Sequence, residues 1–167
     1  MRIIETDRMI LRPLSTDDAN DVFEWAGDPI VNRYMPYPLH ENVHQTKDWI
    51  NSLGDKNEFC FCLKETGKVI GSGSIVYNDE FDAYELGYNF NRTYWGAGYA
   101  TEAAKAMLQW AYKNLGAHDF VARHANANEA SGSVIKKCGF QFVKYVQYSR
   151  YDGSETFDAS FYTLHIE

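Results

Sequence analysis

Three cysteines in 167 residues, Cys60, Cys62 and Cys138, form no C-x-x-C pair. An odd number without paired spacing excludes a disulfide framework and reads as ordinary thiols of a reducing compartment. Basic residues are also short, with 16 Lys and Arg against 23 Asp and Glu and a formal charge of −7. Phosphate backbones are gripped by clustered cations, so this balance argues against nucleic acid and is compatible with a cationic partner. No apolar run approaches a membrane span, and the opening "MRIIETDRMILRPL" alternates charge with apolar residues and lacks the apolar core of a signal peptide. The expected location is cytoplasmic, with no membrane partner. Prolines number four, and there is no repeat, low-complexity tract or linker. Residues 1–167 therefore read as one domain with a sizeable core.

The elements follow from periodicity. "RMILRPL" reads as a strand stopped by Pro13. "STDDANDVFEWA" is a helix with Ser15 and Asp18 in capping-box spacing and Ala19, Val22, Phe23 and Ala26 on one face, ended by "GDP". An aromatic, proline-broken loop over 30–38 precedes a second helix from about Glu41 to Leu53. "EFCFCLK" and "KVIGSGSIVY" form a hairpin around Glu65-Thr66-Gly67. "AYELGYNF" puts Tyr84, Leu86, Tyr88 and Phe90 on one side and Glu85, Gly87 and Asn89 on the other. A long helix spans about Tyr99 to Leu115, "HDFVARH" is a strand, and "NEASGSVIKKCGF" is a helix ended by Gly139. Two strands around Asp152-Gly153 close the chain. The order β-α-α-β-β-β-α-β-α-β-β describes a mixed α/β domain.

The glycines of "YWGAGYATEA" sit between a strand and a helix, where backbone N–H groups and the helix dipole favour an anion. The P-loop pattern is absent. The dinucleotide pattern G-x-G-x-x-G matches at Gly96 and Gly98 but meets Thr101 at its third glycine, on about the fourth strand in order. A ligand-free tight turn is the bland alternative.

The loop resembles the pyrophosphate-binding segment of the GNAT superfamily of N-acetyltransferases, [QR]-x-x-G-x-[GA], in the form usual for its Rim-type branch of ribosomal-protein N-terminal acetyltransferases. The [QR] position falls on Thr93, with Arg92 beside it. "NANEASGSVIKKCGF" resembles the later signature N-x-x-[AS]-x-x-x-[Y/L/I]-x-x-x-G-F through Asn128, Ser131, Ile135, Gly139 and Phe140. "TDRMILRPL" and "YMPYPLHENVHQTKDWI" are similar to the branch as well, so the resemblance covers nearly the whole chain.

The resemblance implies a GNAT fold: a mixed, largely antiparallel sheet of about six or seven strands flanked by four helices, splayed after the strand that precedes the loop. It implies acetyl transfer from acetyl-coenzyme A to a primary amine, a protein N-terminus or a small molecule, by direct attack in a ternary complex. The backbone from Trp95 through Gly96, Ala97, Gly98, Tyr99 and Ala100 to Thr101 would cradle the pyrophosphate. Asn128 would bond the pantetheine arm, and a bulge near Asn89 and Phe90 would offer the N–H that polarises the thioester carbonyl. Glu85 is the candidate general base, because an ammonium must lose a proton before nitrogen can attack. Asp79, Glu80 and Asp82 are weaker candidates. The Tyr that many relatives use to protonate the thiolate is Ile135 here, so Ser131 is the candidate donor. Trp25, Tyr34, Met35 and Tyr37 are expected to line the acceptor cleft, and homodimers are frequent in the branch.

Two other classes share features with this chain. "HENVH" (residues 40–44) satisfies H-E-x-x-H. Pro36 and Pro38 put its histidines at the start of a helix, with no third ligand following, so no metal is expected. A non-catalytic coenzyme A-binding module would keep the loop and lose amine turnover.

Overall fold

The computed structural model describes residues 2–167. Strands β1 (Ile4–Glu5) and β2 (Met9–Arg12) pair as a short antiparallel hairpin. A 3-10 turn at Thr16–Asp18 leads into helix α1 (Ala19–Ala26). The capping box legible in Ser15 and Asp18 forms: the Ser15 amide donates to Asp18 Oδ2 at 2.9 Å, and Asp17 N donates to Ser15 Oγ at 3.3 Å. Arg12 grips the same carboxylate with both Nη atoms at 2.9 Å.

Helices α2 (Pro29–Asn32) and α3 (Val43–Ser52) follow, then strands β3 (Glu58–Leu63), β4 (Val69–Asn78) and β5 (Ala83–Phe90). Helix α4 (Tyr99–Leu115), strand β6 (Asp119–Ala125), helix α5 (Glu129–Lys137) and strands β7 (Gln141–Ser149) and β8 (Thr156–His165) complete the chain. The eight strands lie in the order β1-β2-β3-β4-β5-β6-β8-β7, antiparallel throughout except β5 with β6. The α/β class is as expected, with one more strand and one more helix. Both additions are too short for periodicity to reveal: β1 has two residues, and α2 is one turn started by an Asp28 cap and Pro29.

Each face of the sheet has its own core. On one, α4 and α5 bury Phe59, Phe61, Phe90 and Met107; on the other, α1 and α3 bury Val22, Trp25, Ile50, Cys60 and Val69. Full burial of Phe61 or Met107 contributes about 2 kcal/mol each. The "GSG" of β4 makes the first packing possible. A Cβ on Gly73 would stand 2.6 Å from Phe61 Cζ and 2.9 Å from Met107 Cε.

Strand β5 pairs with β6 only at Tyr84–Phe120 and Glu85–Val121. Beyond that, β5 stays with β4 as far as Phe90, while β6 stays with β8 from Asp119 to Ala125. The sheet opens into a V at the expected place. It does so without the bulge expected near Asn89 and Phe90, since β5 keeps continuous register with β4. Rival pairings on the two outer sides draw the strands apart. Among the described residues, no helix is long and apolar enough to cross a membrane.

Candidate active site

The glycine loop enters α4 through two left-handed residues, Gly96 at φ 78° and Gly98 at φ 83°. A side chain at either position would be strained. Gly98 is the N-cap of α4 and makes no side-chain cap bond, and a Cβ on Gly96 would meet nothing within 4 Å. Trp95 to Gly98 are exposed, and the first turn of a 17-residue helix presents its N–H groups behind them. This is a backbone anion site, and it fits a pyrophosphate. Trp95 is anchored by its indole N–H, which donates to Phe90 O at 2.9 Å.

The N-terminal segment supports this loop in a way the sequence did not announce. Arg8 donates to Ala97 O at 2.9 Å, pairs with Glu102 at 2.8 Å, and lies 3.9 Å over the Tyr99 ring. Glu102 also accepts from Thr6 Oγ1 at 2.6 Å and from Arg8 N at 3.1 Å. Burial pushes the Glu102 carboxyl up, and these donors together pull it below its ordinary value. The glutamate of "TEA" therefore ties the loop's helix to the N-terminal hairpin.

In the V, the Asn91 amide donates to Ile70 O on the β4 side. Strand alternation turns the Asn89 amide the same way and leaves the Tyr88 and Phe90 amides facing the opening, away from any ladder partner. The Phe90 N–H is thus presented to the opening, whereas the Asn89 side chain bonds the Tyr37 hydroxyl on the opposite wall. Asn128 caps α5, accepting from the Ser131 amide at 3.4 Å. The Ser131 hydroxyl lies 3.0 Å from Tyr88 OH, which also donates to Ser131 O at 3.1 Å. Burial raises the Tyr88 phenol, so it stays protonated and available as a donor. Tyr88 sits in an apolar row of the sequence, and nothing local distinguishes it from a core residue.

A cleft of about 710 Å³ runs through the V, lined on one side by Asn128, Ser131 and Tyr88 and on the other by Tyr34, Met35, Tyr37 and Glu58. Trp25, expected to line it, is 2 % exposed in the core of α1 and α3, because it continues the helical stripe of Val22. Glu85 does face the cleft, where Arg123 holds both its oxygens, at 3.0 Å and 3.1 Å. That pair bridges β5 and β6 where they part. Glu58, unremarked in the sequence, occupies the first position of β3, and burial raises its carboxyl to about 7. Asp79 and Glu80 line the cleft from the β4–β5 turn. Asp82 is not among its walls and bonds Tyr77 OH.

The histidines of "HENVH" do not share a helix face. His40 precedes the Asn42 cap of α3 and its ring bonds Thr46 Oγ1 at 2.8 Å, whereas His44 stands in the first turn beside Asp48. Among the described residues, no group of three ligating side chains gathers.

The sequence model of the family described as acetyltransferase (GNAT) domain matches residues 8–141. The chain belongs to the GNAT acetyltransferase family. The Bacillus subtilis N-acetyltransferase YnaD is 30% identical over 165 residues, covering 96% of this chain and 95% of that one. A GNAT-family acetyltransferase structure from Bacillus anthracis superposes with a TM-score of 0.88 at 26% identity, covering 98% of both chains. The Escherichia coli ribosomal protein uS5 alanine N-acetyltransferase is 26% identical over 86% of this chain and 80% of its own. The GNAT enzymes are transferases that use acetyl-coenzyme A.

Proposed function

We propose that this acetyltransferase acetylates a cationic primary amine by direct attack within a ternary complex. The observation that supports this most is the single cleft that joins the Ser131–Tyr88 side of the sheet to the Glu58–Glu85 side. When bound, acetyl-coenzyme A supplies an activated acetyl thioester. The chain supplies the rest. Gly96 to Thr101 hold the anionic end, and Asn128 orients the arm. The Phe90 N–H donates to the carbonyl oxygen, and the Ser131 hydroxyl, backed by Tyr88 OH, gives a proton to the departing thiolate.

Four carboxylates, Glu58, Asp79, Glu80 and Glu85, line the cleft against the one guanidinium of Arg123. Such a field draws an ammonium and repels an anion. The uS5 relative acts on an alanine of a ribosomal protein, so a protein N-terminus is one acceptor class and a small polyamine or aminoglycoside another. A thiol-release assay with acetyl-coenzyme A across N-terminal peptides, polyamines, aminoglycosides and free amino acids tests this reading. Release is expected with amines of net positive charge. Release with none of them, together with tight coenzyme binding, would turn the reading to a non-catalytic binding module.

A further inference from the structure

We infer that Glu58, rather than Glu85, binds the acceptor's ammonium group and takes its proton; this rests on the acetyl-transfer reading above. Both carboxylates open on the same cleft, but their surroundings differ. Both oxygens of Glu85 already accept from Arg123, and that pair stitches β5 to β6 at the foot of the V. Among the described residues no salt bridge reaches Glu58.

Glu58 stands at the end of a row across the sheet, opposite Ser74, which is opposite Gly87. Gly87 has no side chain, and a Cβ there would meet only Ser74 Oγ, at 3.4 Å. The row is therefore a carboxylate and a hydroxyl beside open floor, facing the side of the sheet from which α1 and α3 approach. Trp49 and Tyr37 line the same cleft, and Tyr37 is near enough to Glu58 for the carboxylate to raise its phenol. Aromatic rings and an unpaired carboxylate in one cleft are the chemistry that receives an alkylammonium.

Burial raises the Glu58 carboxyl to about 7, against the weaker pull of Lys56, the Ser74 hydroxyl and Arg2. Other ionisable groups facing it are Tyr37, whose phenol is raised by burial and by Glu58 itself, and across the cleft Glu85 with Arg123, Asp79 and Glu80. The step balances simply. The N–H proton of R–NH₃⁺ passes to a Glu58 oxygen, the N–H electron pair becomes the lone pair of R–NH₂, and that lone pair forms the new C–N bond. Transfer from an alkylammonium to an ordinary exposed carboxylate is uphill by about a millionfold, and to a group near 7 by about a thousandfold.

The test uses the full chain with the best amine from the thiol-release screen. Glu58→Gln is expected to lower kcat about a hundredfold or more, leave the acetyl-coenzyme A Kd unchanged, and flatten the acidic limb of the kcat/KM–pH profile. Glu58→Asp should restore part of the rate and the limb. Wild-type kcat and profile in Glu58→Gln would overturn the proposal. A second measurement stands even if no amine is acetylated: ¹³C NMR titration of the Glu58 carboxyl, assigned by its loss in Glu58→Gln. With saturating n-butylammonium the midpoint should fall at least tenfold in proton affinity. An unmoved midpoint would overturn the ammonium site without touching the family's chemistry.

Discussion

Two hydroxyls, Ser131 Oγ and Tyr88 OH, meet 3.0 Å apart across the open side of the sheet. Ile135 stands on α5 with 1 % exposure in the core and has no proton to give. In the proposed reaction the pair would relay one proton, the phenol recharging the serine as its hydrogen turns from Ser131 O to Ser131 Oγ. Ser131→Ala and Tyr88→Phe should each lower kcat by about a hundredfold with little change in KM for acetyl-coenzyme A, and the double variant should be far less than additive. Steady-state kinetics with an aryl thioester donor checks the role: its thiolate leaves without a proton, so both variants should then match the wild type. Equal losses with both donors would assign the pair to structure alone. Serine was legible in a motif. The tyrosine was not, because a strand's alternation marks which face a side chain takes and says nothing of what stands beyond that face.

At the level of elements, the glycine loop and α4 are one device whose stiffness comes from the N-terminal hairpin. Glu102 collects three donors from Thr6 and Arg8, and Arg8 in turn holds Ala97 O. Glu102→Ala should cost about 2 kcal/mol, read by chemical denaturation at pH 7, and should weaken acetyl-coenzyme A binding by calorimetry. The sign with pH follows from the lowered carboxyl. Its contribution is present above the ordinary glutamate value of 4.5 and is lost as pH falls below it, so wild type and variant should converge in acid. A gap that persists at low pH would mean that packing, not the ionised carboxylate, holds the hairpin to α4.

Across the whole molecule, the cleft wall proposed for the acceptor is tied to a strap from the far end of the chain. Arg150, in the turn between β7 and β8, donates to Asn32 Oδ1 and Met35 O at 3.0 Å and to Arg33 O at 2.8 Å. Tyr148 OH donates to Tyr34 O at 2.6 Å, and Tyr151 N to Pro36 O at 2.8 Å. The proline-broken segment that carries Tyr34, Met35 and Tyr37 is held at the cleft by these bonds in addition to its own, Met35 N to Asn32 O at 3.0 Å and Asn32 Nδ2 to Tyr37 O at 2.9 Å. Arg150→Ala should therefore raise the acceptor KM about tenfold or more while leaving acetyl-coenzyme A affinity within twofold, measured by initial rates and calorimetry. An equal loss on both substrates would show that the whole cleft, and not one wall, relaxes.

The donor side was written locally. A glycine loop, a helix start and an asparagine cap each act through backbone within about ten residues, so their spacing carries their chemistry, and the element order followed from periodicity with only β1 and α2 too short to read. The rest of the cleft was not local. Tyr88 meets Ser131 across 43 residues, Arg123 meets Glu85 across 38, and Arg150 meets Asn32 across 118. Trp25 went into the core because its helical stripe was already the stronger signal. Sequence by itself determined the family and the fold class, because both follow from local motifs and element order. Only the tertiary structure decided which cleft carboxylate is held by a guanidinium and which, among the described residues, has no salt bridge, because burial and ion pairing are properties of neighbours that the chain brings together late.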